Sequence, residues 1–159
     1  MPVDADPGGM SGRAWLRRAL CVLGMAWTAP NTALGLLAGA TAMARGAHAH
    51  LSADDLALVF HRVPWGPGGA LTLGNVILHT GVDLGERCHT YARAAGKADD
   101  APIAMNDHER AHVLQYMVLG PLFLPLYFAC GGVRGSNRFE RAADRYAMTG
   151  RGWWPWNIR

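Results

Sequence analysis

Two histidines and a glutamate stand at a spacing that can hold a metal ion and activate water. Residues 108–112 read His-Glu-Arg-Ala-His, and side chains four residues apart lie on the same face of a helix, so both imidazoles can bind one ion. Glu109 can take a proton from a water molecule on that ion. The pattern predicts His108 and His112 as zinc ligands and Glu109 as general base. The alternative is an ordinary amphipathic helix with two satisfied histidines.

A third ligand is available further along the chain. Catalytic zinc takes three protein ligands and leaves one position to water. Residues 140–144 read Glu-Arg-Ala-Ala-Asp, so Glu140 can complete the set and Asp144, one turn later, can accept a proton from the outer nitrogen of a ligand histidine. Alternatively, both carboxylates lie on a solvated helix and pair with the neighbouring residues Arg138, Arg141 and Arg145.

The other five histidines have no ligand-like spacing. His79 ends the second predicted strand, where it lies either near the metal or, as is more usual, as a satisfied strand-end residue. No role is predicted for the rest, which are His48, His50, His61 and His89.

Helices must position the ligands. Acidic residues followed by Pro102 form a helix-start signal, because negative charge is favourable at the positive end of the helix dipole. We expect a helix over 102–119, which Gly120 and the proline after it end. The apolar residues 120–133 contain a further proline and are predicted to form a hairpin rather than one straight helix. A last, polar helix is expected over 137–149.

The remaining segments complete an α+β protein, in which membrane-associated helices accompany a small β-hairpin. Its zincin-like HExxH helix is expected to pack against the C-terminal ExxAD helix. Residues 13–149 are predicted to form one membrane-associated domain. The parts not yet described are a flexible tail (1–12), a Pro-interrupted apolar helix or hairpin (13–45), a strand pair joined by a Gly/Pro loop (50–80), a polar surface insertion (81–100) and a Trp-rich tail (150–159).

Composition favours a membrane protein. Half of the 159 residues are apolar and 17% are charged, whereas soluble domains carry about 25% charged residues. Ala19–Ala44 and Ala111–Val133 contain no Asp, Glu, Lys or Arg. This composition excludes a disordered chain and predicts contact with a lipid bilayer. The net charge of +3 is too diffuse for a nucleic-acid footprint.

The ligand set restricts the topology. If His108 and Glu140 bind one ion, they lie on the same side of the membrane, so the apolar residues between them cannot cross the bilayer once. A shallow hairpin that enters one leaflet satisfies this condition. Arginines before the first apolar segment and after the second favour the cytoplasmic side, which requires the first segment to be a hairpin as well. The tryptophans of 150–159 are expected either to anchor the chain at the bilayer interface or to cap the core.

Taken together, the motifs resemble a known family. HExxH followed by an apolar hairpin and ExxAD resembles the gluzincin membrane metallopeptidases of the CAAX-processing and heat-shock type. The chain is more similar still to a group of small, uncharacterised bacterial membrane proteins. The shared motifs are His-Glu-Arg-x-His-x-x-Gln-Tyr at 108–116, Leu-Gly-Pro-Leu-Phe-Leu-Pro at 119–125 and Asn-x-Phe-Glu-Arg-x-Ala at 137–143.

The resemblance implies that His108, His112 and Glu140 bind Zn²⁺, that Glu109 is the base and that the protein lies in a bacterial inner membrane. The arginines favour the cytoplasmic face for the site. The expected function is a zinc metallopeptidase that hydrolyses a peptide bond with metal-activated water. A peptide or protein substrate would pair with the edge of the strands. The alternative is a non-catalytic membrane subunit or scaffold, metal-free or with a structural ion. A lipid or cell-wall amide hydrolase would use the same zinc chemistry.

Overall fold

The computed structural model describes residues 12–66 and 68–156, so residues 1–11 of the predicted tail lie outside the described chain. The fold is mixed α+β, as predicted, and contains a small sheet. Its helices are α1 (Gly12–Trp27), α2 (Ala29–Met43), α3 (Tyr91–Ala94), α4 (Met105–Leu119), α5 (Phe123–Ala129) and α6 (Arg138–Thr149). Its strands are β1 (His48–Ser52), β2 (Ala57–His61), β3 (Ala70–Leu73), β4 (Val76–His79), β5 (Arg87–Cys88) and β6 (Ile103–Ala104).

The first apolar segment is a broken helix. α1 and α2 meet at Thr28 with a bend of 67°. Pro30 lies in the first turn of α2, where it cannot donate a hydrogen bond back to α1. The segment is therefore neither a straight span nor a tight antiparallel hairpin.

α2 places its small residues inward and its large residues outward. Gly35 and Gly39 are buried, and a Cβ atom at Gly39 would lie 2.3 Å from the ring of Phe60 on β2. Leu34 and Leu37 are 53% and 67% exposed. A helix on the surface of a soluble protein has the opposite arrangement, with its large apolar side chains in the core.

The predicted strand pair is wrong in detail, because the sheet has four strands in the order β1-β2-β4-β3. β1 lies antiparallel to β2, and β2 lies parallel to β4. The segment expected to be one strand over 71–78 is the β3–β4 hairpin, which turns at Gly74 (φ +65°) and Asn75. A Cβ atom at Gly74 would lie 2.3 Å from Thr32 Oγ1 on α2, and that hydroxyl accepts the Asn75 N–H at 3.0 Å. A tertiary contact therefore fixes this turn.

The HExxH helix begins later than predicted. Ile103 and Ala104, expected in its first turn, instead form β6, which pairs with β5 in the predicted surface insertion. The first N–H groups of α4 are satisfied from the same insertion, since Met105 donates to the Glu86 carbonyl at 3.1 Å and Asn106 donates to that of Leu84 at 2.9 Å. The predicted helix end at Gly120 agrees with the structure.

The chain folds back on itself after α4. The segment Met105–Ala129, which has 25 residues, is long and apolar enough to cross a membrane. It is not straight, because the 3-10 turn Gly120–Leu122 separates α4 from α5. The rings of His112 and Tyr127 lie 6.3 Å apart, whereas a straight helix would separate these residues by about 22 Å. Both ends of the segment therefore reach one site.

The Trp-rich tail packs back onto the helices over its described part. The Trp153 carbonyl accepts a hydrogen bond from Gln115 on α4 at 2.8 Å, and the Gly152 carbonyl accepts one from Arg145 on α6 at 2.7 Å. Trp156 contacts Phe139, with ring centroids 5.5 Å apart. These contacts match the core-capping alternative for the tail.

Candidate metal centre

α4 and α6 bring the predicted ligands together. His108 and His112 lie one turn apart on the buried face of α4, and Glu140 lies on the first turn of α6. Asn137 fixes where α6 begins, because its side chain accepts the Phe139 N–H at 3.0 Å and donates to the carbonyls of Tyr127 and Gly132. The start of α6 is thereby tied to α5 and to the loop after it.

Three ligand atoms form a nearly equilateral triangle. His108 Nε2 and His112 Nε2 are 3.2 Å apart, and they lie 3.1 and 3.3 Å from Glu140 Oε2. Ligands bound tetrahedrally at 2.0–2.1 Å from zinc are separated by about 3.3 Å. The triangle therefore has the size of one face of a zinc coordination tetrahedron.

The partner of His112 determines which of its nitrogens carries the proton. The Gln115 amide nitrogen donates to the Trp153 carbonyl at 2.8 Å, so the Gln115 carbonyl oxygen faces His112. That oxygen lies 2.9 Å from His112 Nδ1 and can only accept. The proton is therefore on Nδ1, and the lone pair of His112 Nε2 points into the triangle.

A carboxylate plays the corresponding part beside His108. Asp144 Oδ1 lies 3.0 Å from His108 Nδ1, although off the line of the ring N–H. The other oxygen of Asp144 accepts the Tyr91 N–H at 2.9 Å, which holds the carboxylate in place. A carboxylate on this side favours the proton on Nδ1, as in many histidine metal sites. His108 Nε2, His112 Nε2 and Glu140 Oε2 can therefore share one cation, which is either a proton or a metal ion.

The charges of the site point the same way. Burial by itself raises the pKa of Glu140, but His112 and His108 outweigh it and hold that pKa well below its ordinary value. Burial lowers the pKa of His108, but Asp144 and Glu140 outweigh it and raise the pKa to about 10. Without a metal ion, the cluster therefore keeps a proton, and a bound ion would take the place of that positive charge.

Glu109 lies beside the triangle and outside it. Its Oε2 accepts a hydrogen bond from Thr72 Oγ1 on β3 at 2.6 Å. It shares with the ligands a cavity of about 130 Å³, close to the size of an engineered cavity of about 150 Å³ that binds benzene. The apolar and aromatic part of the lining consists of Ala70, Leu71, Tyr91, Tyr116, Phe123, Leu124, Tyr127, Phe128 and Val133.

Two of the three tyrosines that line this cavity have buried hydroxyl groups with different surroundings. Tyr127 on α5 donates to Glu140 Oε1, the oxygen of that carboxylate outside the triangle. The buried hydroxyl of Tyr116 on α4 has no hydrogen-bond partner within residues 12–66 and 68–156. An unpaired buried hydroxyl costs free energy.

The sequence predicted part of this arrangement. His108, His112 and Glu140 come together, with Asp144 beside His108, and Glu140 and Asp144 are buried rather than on a solvated helix. Arg110, next to the motif, pairs with Asp55 at 3.3 Å and with Asp107 at 3.4 Å. His79 lies outside the cluster and contacts other residues.

Sequence reasoning assigned no role to Thr72, Gln115 or Tyr127. Only Gln115 left a usable signal, because it follows His112 by three residues, and residues three apart on a helix are neighbours. Thr72 and Tyr127 reach the site through tertiary packing, which no local pattern shows.

Comparison with known protein families, curated proteins and solved structures finds no match to this chain. The resemblance to gluzincins therefore rests on the motifs alone. The structure itself shows a buried group of His108, His112 and Glu140 that can bind a metal ion.

Proposed function

We propose that the protein is a membrane-associated, zinc-dependent hydrolase that cleaves peptide bonds. The observation that carries the proposal is the triangle of His108 Nε2, His112 Nε2 and Glu140 Oε2, 3.1–3.3 Å on each side, in one cavity with the Glu109 carboxylate. Two imidazole nitrogens and one carboxylate oxygen form a donor set typical of catalytic zinc. The three ligand residues and Glu109 line the same cavity, so a water molecule on an ion held by these ligands would lie in the cavity that contains Glu109.

Zinc at this position would polarise a carbonyl group and make a water molecule more acidic. Glu109, within the same cavity, accepts the proton of the attacking water and passes it to the leaving amine. The Thr72 hydroxyl donates a hydrogen bond to Glu109 Oε2 and so orients this carboxylate. The Tyr127 hydroxyl keeps Glu140 in one orientation.

The sheet edge favours an extended peptide as substrate. β3 is the outer strand of the sheet and pairs on one side with β4. Ala70, Leu71 and Thr72 of β3 line the cavity. Among the described residues, no strand pairs with the other side of β3, so its backbone groups are available to an extended chain.

Apolar side chains on the outer surface favour membrane association. Those of α1 and α2 with large exposed fractions are Trp15, Leu16, Leu20, Val22, Leu23, Trp27, Leu34 and Leu37. An apolar patch of this extent is rare on soluble monomers. Asn31 of α2 donates to the Gly120 carbonyl at 2.9 Å, which joins the two helices to the turn between α4 and α5. These segments enter one leaflet and hold the cavity at the bilayer surface.

Glutamine variants test the catalytic part of the proposal. The protein is purified in detergent without added metal, and zinc content and turnover of quenched fluorescent peptides are measured. Glu109→Gln should retain zinc and lose about 10²-fold or more in turnover. Glu140→Gln should lose zinc, because a neutral amide replaces an anionic ligand. Asp54→Asn, which changes an exposed carboxylate, is the matched control and should behave as wild type.

Two outcomes would contradict the proposal in different ways. Full turnover by Glu109→Gln would show that Glu109 is not the base. Tight zinc binding without turnover of any peptide in the wild type would favour a structural ion in a membrane scaffold.

A further inference from the structure

A second group of histidines lies on the sheet, away from the ligand triangle. In the register of β1 and β2, His48 stands opposite His61. β4 continues beside β2, and His79 follows Leu78, the partner of Phe60. His50 lies two residues from His48 and thus on the same face. The ring centroids of His48, His50 and His79 lie 5.2, 5.0 and 5.4 Å from that of His61.

Hydrogen bonds connect these rings to a carboxylate. His79 Nε2 lies 3.0 Å from Glu86 Oε1, His61 Nδ1 lies 3.3 Å from His79 Nδ1, and His61 Nε2 lies 3.2 Å from His50 Nδ1. The ionised carboxylate can only accept, so the proton of His79 is on Nε2 and its Nδ1 accepts from His61. The Nε2 atom of His61 is then left with a lone pair directed at His50.

This series of hydrogen bonds, from Glu86 through His79 to His61, is an arrangement that orients a histidine for metal binding. A ligand histidine commonly donates its other ring N–H to a carboxylate, directly or through an intermediate group, and this fixes its tautomer and orientation. His61 and His79 are 4% and 0% exposed, so the surrounding residues hold both rings in this orientation. A Cβ atom at Gly81 would lie 2.8 Å from His79 Nε2 and 3.0 Å from Glu86 Oε1. The glycine leaves space for the pair.

His61 Nε2 faces a cleft that is lined by further potential metal ligands. His48, His50 and His61 line this cleft together with Asp55 and Asp83. The 3.2 Å between His61 Nε2 and His50 Nδ1 is close to the edge of about 3.3 Å expected for ligands of a tetrahedral zinc ion. The His48 and His50 side chains are exposed and can turn about their own bonds to complete a three-histidine set.

We propose that His48, His50 and His61 form a second metal site, which binds a divalent transition-metal ion that prefers imidazole ligands, such as Zn²⁺. His79 and Glu86 orient His61, and Asp83 contributes negative charge at the cleft. Three imidazoles from two neighbouring strands leave a fourth position to water. The site does not depend on the activity proposed for the first centre, because none of its residues is shared with that centre.

Metal titration in a chain without the first centre tests this site. In His108→Ala/His112→Ala protein stripped with chelator, Co²⁺ and Zn²⁺ should bind at one equivalent. His50→Ala should weaken that binding by about tenfold or more, and Glu86→Gln by about 10- to 100-fold, the range for lost outer partners. His89→Ala removes another exposed histidine and is the matched control, with no expected change. Folding of each variant is checked by circular dichroism.

The proposal is overturned if the double variant binds no ion, or if His50→Ala and His89→Ala bind equally well. Unchanged affinity in Glu86→Gln would overturn the orienting role of the buried chain. Should the double variant fail to fold, equivalents are counted in otherwise wild-type protein instead. Two equivalents in the wild type and one in His50→Ala would support the second site, whereas equal numbers would exclude it.

Discussion

Substitution of Gln115 tests whether its side chain keeps the proton of His112 on Nδ1 and so leaves Nε2 able to bind a metal ion. Gln115→Leu removes the acceptor 2.9 Å from His112 Nδ1, so the proton of His112 is no longer held on the outer side of the ring. Loss of such a partner costs about 10- to 100-fold in metal affinity, which is about 1.4 to 2.7 kcal/mol. The substitution also leaves the Trp153 carbonyl without its donor, which costs about 1–3 kcal/mol of folding free energy.

A matched variant separates these two effects. Gln115→Glu also loses the donor to Trp153 but keeps an acceptor toward His112, so zinc affinity should be no lower than in the wild type. Affinity is measured by competition with a chelator of known affinity, and stability by thermal unfolding after zinc removal. Wild-type affinity in Gln115→Leu would refute the assignment of the His112 proton. Equal loss in both variants would show that Gln115 acts through packing.

Three further predictions concern protons, packing and topology. Zinc affinity should rise about tenfold per pH unit from pH 7 to 9, since zinc displaces the proton that a pKa of about 10 keeps on His108; calorimetry in buffers of different ionisation enthalpy measures this release. Gly39→Ala should lower the free energy of unfolding by about 1–3 kcal/mol, because overpacking against Phe60 outweighs the gain of about 1 kcal/mol in helix propensity; thermal unfolding in detergent tests this. Single cysteines at the exposed positions Lys97 and Ser136, in a chain whose native cysteines are serine, should be labelled by impermeant maleimide from the same side of the membrane.

Each of these has an outcome that contradicts it. Zinc affinity that does not vary with pH would mean that the metal-free site holds no proton. A stabilised Gly39→Ala variant would mean that α2 does not approach β2 as closely as described. Labelling of the cysteines at positions 97 and 136 from opposite sides of the membrane would exclude a helical hairpin that enters one leaflet.

The ligands were predictable because helical periodicity is local. His108 and His112 are four residues apart, so their common direction follows from helix geometry alone. Glu140 could be assigned because few carboxylates follow the motif and this one lies on a helix with a clear start. The same reasoning placed Asp144 one turn later, beside His108.

The parts that the sequence did not predict depend on contacts between distant segments. The turn at Gly74 is held by Thr32 on another helix, so strand periodicity over 71–78 missed it. The histidines on the sheet form no recognisable motif in the sequence, because His48 and His61 become neighbours only through the register of β1 and β2. Thr72 reaches Glu109 across 37 residues of sequence for the same kind of reason.

The inward-facing glycines of α2 leave its outer side chains free of internal contacts. Substitutions on that outer side can therefore change the solubility of the protein without changing the candidate metal centre. α2 contacts the sheet through Gly35, Gly39 and other small residues, among them Thr32 and Ala42, whereas Leu34 and Leu37 lie on its outer side. Leu34 and Leu37 can therefore be exchanged for glutamate or glutamine without changing an internal contact, a cavity wall or a metal ligand. Such exchanges lower the exposed apolar area of α2 and so provide a route to a more soluble form of the protein, in which metal binding at both proposed sites can be followed by solution spectroscopy.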